Sequence, residues 1–116
     1  MISRSRRALL AGALLVLASR VVAEDRVLEL PISGADNAAK PRILSVLQND
    51  RVVLHLTADR PVHIHLHGYD IESDVAPNHD ATLRFMATAT GRFPIEIHSH
   101  EPHHQRPLAY VEVRPR

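Results

Sequence analysis

With 116 residues, no cysteine, and fourteen Lys and Arg against thirteen Asp and Glu, the chain has room for one small domain, with neither disulfides nor a thiolate site. The basic side of that balance sits at the amino terminus. Residues 1–23 carry four of the fourteen basic side chains and none of the thirteen acidic ones, so the remainder holds ten against thirteen, a net charge of about −3. Such a domain lacks the basic patch that nucleic-acid binding requires, and a nucleic-acid partner is not expected.

In chain order, Arg4, Arg6 and Arg7 precede an uncharged run from Ala8 to Ser19, and Val21-Val22-Ala23 supplies the small residues that a signal peptidase reads. Residues 1–23 are therefore expected to be a secretory signal cleaved before Glu24, and residues 24–116 the exported domain, in the periplasm. The apolar run is shorter than the roughly 20 residues needed to cross a bilayer, so no membrane span is expected in the mature chain. Ser5-Arg6-Arg7-Ala8-Leu9-Leu10 also resembles a twin-arginine export signal.

The mature part reads as short strands separated by turns. Arg26 to Ile32 alternates Leu28, Leu30 and Ile32, with Pro31 marking an edge or a bulge. Ile43 to Leu47 is followed by the turn Gln48-Asn49-Asp50, and Arg51 to Thr57 sets Val52, Leu54 and Leu56 against His55. Tyr69 to Asp80, broken by Pro77 and Asn78, reads as a crossing loop with room for one helical turn. Ala81 to Ala87, Arg92 to His98 and Leu108 to Val113 complete a set of about seven strands. With no amphipathic helix among them, the expected fold is an all-β Greek-key sandwich or barrel.

Chemistry concentrates in Val62-His63-Ile64-His65-Leu66-His67-Gly68. In a strand, successive side chains face opposite ways, so His63, His65 and His67 share one face while Val62, Ile64 and Leu66 fill the other. A helix would scatter the three imidazoles by about 200° per step of two, leaving no common surface. A second concentration lies at Glu96-Ile97-His98-Ser99-His100-Glu101-Pro102-His103-His104. Imidazole suits Cu(II), Zn(II) and Ni(II), with Cu(II) first on affinity, so the implied cofactor is a copper ion with Zn(II) as the other choice. Histidines can also alternate on a solvated strand face without any metal. His55 and His79 have no ligand-spaced neighbour and read as structural or solvent-facing. Glu96 beside Arg92 reads as a surface ion pair. Ser99 between two histidines has neither a glycine-framed turn nor a plausible acid partner and is no hydrolase motif. A metal-bound water with Glu as base is the one hydrolytic alternative, and no enzyme is expected.

From Ile43 to Val113 the order of pieces resembles a cupredoxin, the sandwich of plastocyanin, azurin and the domains of multicopper oxidases. His65-Leu66-His67-Gly68 resembles the histidine motif of multicopper oxidases, and Gly91-Arg92-Phe93-Pro94 resembles the approach to their cysteine ligand. The resemblance implies that the two histidine segments meet at one end of the sandwich. It favours His65, His67, His98 and His100 as ligands, with His63 and His103 in reserve and Asp70, Glu96 and Glu101 able to orient ring nitrogens. The blue-copper cysteine would fall at Ile97, and the chain has none, so a blue copper site, which needs thiolate, cannot form. The implied function is periplasmic copper binding, carriage or buffering through a type 2-like site, with a periplasmic or membrane metal-handling protein as partner. The alternatives are a metal-free cupredoxin-like interaction module and a periplasmic helper in iron or other metal uptake.

Overall fold

Period-two alternation of aliphatic with polar residues buries one face of each strand, and two such sheets cover each other. The computed structural model describes residues 11–17, 25–34, 40–98 and 107–116. Among these residues the strands are β1 (Asp25–Ile32), β2 (Arg42–Leu47), β3 (Arg51–Ala58), β4 (Val62–Leu66), β5 (Ile71–Val75), β6 (Ala81–Met86), β7 (Gly91–His98) and β8 (Ala109–Arg114). They form a three-stranded sheet ordered β1-β3-β6 and a five-stranded sheet ordered β2-β8-β7-β4-β5. The pairs β1–β3 and β2–β8 are parallel, whereas β3–β6, β4–β5, β4–β7 and β7–β8 are antiparallel. The expected all-β sandwich is the observed one.

Leu30, Leu54 and Leu56 from the first sheet meet Ile64, Leu66, Ile95 and Val111 from the second in one core, all at most 1 % exposed. Each such side chain stabilises the fold by about 1.5–3 kcal/mol relative to an exposed one. Burial of Ile64 and Leu66 fixes the register of β4 and therefore turns His63 and His65 outward, because a slip of one residue would exchange the faces.

The segment from Tyr69 to Asp80 departs from expectation. Instead of a loop with a helical turn it contains β5, which makes eight strands where about seven were expected. Ile71, Ser73 and Val75 face inward while Glu72 and Asp74 face out, so the period of two is present, although Glu72 and Asp74 have weak strand preference. The strand forms because it pairs along its whole length with β4, Val62 opposite Val75 and Leu66 opposite Ile71. Its outward carboxylates also suit an edge strand, which charge protects against further pairing. The turn before it needs Gly68, at φ 85°, because a Cβ there would run into the ring of Phe93.

Below that turn Tyr69 packs on Phe85 and Phe93, with ring centroids 4.8 and 4.9 Å away, and its hydroxyl donates to the carbonyl of Ala89. Tyr69 therefore joins the two sheets through Phe85 of β6 and Phe93 of β7.

Pro94 occupies a central strand without breaking the ladder. In a strand the N–H and C=O of one residue point to the same side, and the Pro94 carbonyl accepts from the backbone N–H of His67, just past the end of β4. The missing donor thus falls where the β4–β7 ladder has already stopped.

Asp50, 3 % exposed, closes the β2–β3 turn. Its carboxylate accepts from the backbone N–H of Leu47 at 3.0 Å, pairs with the Arg116 guanidinium, and lies 3.6 Å from Nε of Arg26.

Candidate metal centre

Three strands present their outward residues side by side: β7 with Glu96 and His98, β4 with His63 and His65, β5 with Glu72 and Asp74. The pairing sets His63 between His98 and Asp74, and His65 between Glu96 and Glu72. His67 follows one step beyond β4, and its backbone bond to Pro94 keeps it in line with the strand. Directly opposed residues in an antiparallel pair have Cβ atoms about 4.5–5.5 Å apart, near enough for side chains to share one ion.

His65, His67 and His98 converge: each offers one ring nitrogen, and these atoms all lie within 4.8 Å of one another. Nε2 of His98 is 3.2 Å from Nδ1 of His65. Two nitrogens that each bind one ion at about 2.0–2.1 Å are separated by roughly 3.3 Å in a tetrahedron, so this pair already has the spacing of two ligands. The His65 ring centroid lies 4.1 Å from that of His67 and 5.1 Å from that of His98. The His65 side chain is 16 % exposed and that of His67 39 %, which leaves the centre open on its solvent side. Three neutral imidazoles of this kind fit a copper or zinc ion and supply no sulfur.

The carboxylates are distributed unevenly. Glu96 Oε2 lies 2.8 Å from Nε2 of His67, and the Glu96 side chain is 18 % exposed. This corrects the expected Glu96–Arg92 pair: Arg92 instead donates to Glu112 at 2.7 Å, and Arg114 donates to the same carboxylate at 2.9 Å. The physical reason is the register of β7, which sets Arg92 opposite Glu112 of β8 and Glu96 opposite His65 of β4. Both arginines, Arg92 foremost, hold the Glu112 carboxyl below its ordinary value.

His63 lies outside the trio. Its Nδ1 is 2.7 Å from Asp74, and its Nε2 is 3.6 Å from Glu72. The hydrogen bond to Asp74 is the main cause that raises its pKa above the ordinary histidine value, against a smaller opposing effect of burial. Asp70 comes only to 3.9 Å of His65 Nε2, beyond hydrogen-bond reach.

Of the expected ligands, the described structure therefore brings together His65, His67 and His98. His100 and His103, together with Glu101, lie outside the described residues. His55 belongs to the other sheet, where its Nδ1 is 3.2 Å from the Thr82 hydroxyl and its Nε2 3.6 Å from Asp80. His79 is exposed beside a backbone bridge to Ala76. The carboxylates Asp74 and Glu72 on His63 were not foreseen; alternation in Ile71-Glu72-Ser73-Asp74-Val75 was the available signal. Among the described residues, no helix is long and apolar enough to cross a membrane.

No family model and no curated protein sequence matches the chain. Solved structures do. The chain is similar to the blue copper oxidase from Nitrosomonas europaea, with TM-score 0.59 and 18 % identity over 80 % of this chain and 40 % of that one. It is also similar to the periplasmic domain of subunit II of cytochrome oxidase of Bradyrhizobium japonicum, with TM-score 0.52 and 19 % identity over 66 % of this chain and 56 % of that one. A heme-copper terminal oxidase matches with TM-score 0.53 and 16 % identity over 64 % and 52 %. The chain thus spans about half or less of the length of these neighbours. Their common fold is the cupredoxin sandwich, and the present structure has that fold without the cysteine of a blue copper site.

Proposed function

We propose that this protein is an exported, periplasmic copper-binding protein that holds Cu(II) through His65, His67 and His98 and serves in copper carriage or buffering. The convergence of three ring nitrogens within 4.8 Å carries the reading. Cu(II) stands highest among divalent ions for imidazole donors, and Zn(II) next to it has the geometry to compete. Without sulfur the bound copper is of type 2 character, suited to binding and release. The open side supports exchange with a periplasmic or membrane metal-handling partner. The export signal read at residues 1–23 and the periplasmic domain among the fold neighbours support the location; the copper oxidases among them support the ion.

Metal analysis of the protein purified from its own compartment, followed by electron paramagnetic resonance on the same sample, tests the proposal. About one copper per chain with a type 2 spectrum is expected. A metal-free protein that also refuses added Cu(II) would overturn it and leave an interaction module as the better reading.

A further inference from the structure

The hydrogen bond from His67 to Glu96 has consequences for how the centre binds. Arg92, the neighbouring cation on β7, is bonded to Glu112, so Glu96 is committed to the histidine and not to an arginine. It also sits in the middle of the cluster, opposite His65 across the β4–β7 ladder and two residues before His98 on the same face. An ionised carboxylate can only accept, so Nε2 of His67 is the donor; in the neutral ring Nδ1 then holds the lone pair.

We infer that Glu96 is a positioning residue of the metal centre, which holds the Nε2–H of His67 and thereby assigns Nδ1 as the nitrogen that ligates a divalent cation. The inference rests on the reading of His65, His67 and His98 as a metal centre. It adds that the ring is oriented before the ion arrives. The other two nitrogens already face each other, His65 through Nδ1 and His98 through Nε2 at 3.2 Å, so the ligating set is Nδ1, Nδ1 and Nε2. A carboxylate that fixes the tautomer of a ligating histidine also makes it more basic, and removing one typically costs about 10–100-fold in metal affinity. Partial burial of Glu96 protects the bond from water.

The test is nuclear magnetic resonance of the full chain, with nitrogen-labelled histidine and loaded with the spin-active isotope of Cd(II), in which scalar coupling identifies each ligating nitrogen. Coupling from cadmium to Nδ1 of His67, with the proton on Nε2, is expected. In Glu96→Gln, whose amide oxygen can still accept, the same coupling should persist. In Glu96→Ala it should weaken or move to Nε2, and Cd(II) affinity should fall about 10–100-fold. Coupling through Nε2 of His67 in the unaltered protein would overturn the inference and leave the metal centre standing. Absence of coupling to all three histidines would overturn the centre itself. The unaltered protein alone separates these outcomes, so the inference stays testable if Glu96→Ala fails to fold.

Discussion

The two sheets each turn histidine to solvent, and they do so to different effect. On the three-stranded sheet His55 has Glu29 and Thr82 as its cross-strand neighbours and finds its partners in Thr82 and Asp80. On the five-stranded sheet His63 and His65 stand beside His98 and Glu96, and His67 extends the row. Burial of aliphatic residues on the opposite face dictates both arrangements equally. What separates a solvated histidine from a cluster of donors is the register of the neighbouring strand. Ligand convergence is thus a property of strand pairing, while outward orientation is a property of one strand's sequence.

Removing donors should separate the faces most sharply. The double variant His65→Ala with His98→Ala is expected to lose stoichiometric Cu(II), by more than the roughly 100-fold that loss of an orienting residue costs, whereas His55→Ala with His79→Ala should bind as the parent does. Isothermal titration with Cu(II) compares the two; equal losses would place the ion elsewhere.

Core truncation should come next. Leu66→Ala beneath the histidine row and Leu56→Ala in the other sheet, each fully buried, should both cost about 2–5 kcal/mol in denaturant unfolding. Only Leu66→Ala should also weaken Cu(II) binding by the folded protein, because it loosens the strand that carries His65.

The smallest effects concern pH, and they have opposite sign at the two ends of the five-stranded sheet's outer face. The His63 pKa is raised in the fold by Asp74, so its contribution to stability is fully present below the unfolded value of about 6.5 and is lost as pH rises through the folded value. The Glu112 carboxyl is depressed by Arg92 and Arg114, so its contribution is present above its unfolded value and lost as pH falls through the folded one. Asp74→Asn should therefore destabilise the protein at acidic pH and little above the folded His63 value, with the His63 titration moving down. Glu112→Gln should destabilise it at neutral pH, with the deficit vanishing in acid. Melting temperatures across pH read both, and both shifts should be small because the groups are exposed.

Much of the sandwich was legible because β4, β3 and β7 bury residues of strong strand preference at alternate positions. Two features were not. β5 was masked by Glu72 and Asp74, which cost little on an exposed edge but argue against a strand when read alone. Glu96 is expected both beside Arg92 and as a carboxylate that orients a ring nitrogen, and only the strand order decides for the second, because β8 claims the arginine and β4 the glutamate. His65 and His67 follow from alternation; choosing His98 over His63 needed the geometry, since Asp74 and Glu72 engage His63.

Pulsed electron paramagnetic resonance on the protein with one equivalent of Cu(II) counts the imidazoles bound to the ion. Three coupled histidines are expected, reduced in His65→Ala and in His98→Ala and unchanged in His55→Ala. A spectrum with one histidine or none, or one unaltered by loss of His65 and His98, would contradict it.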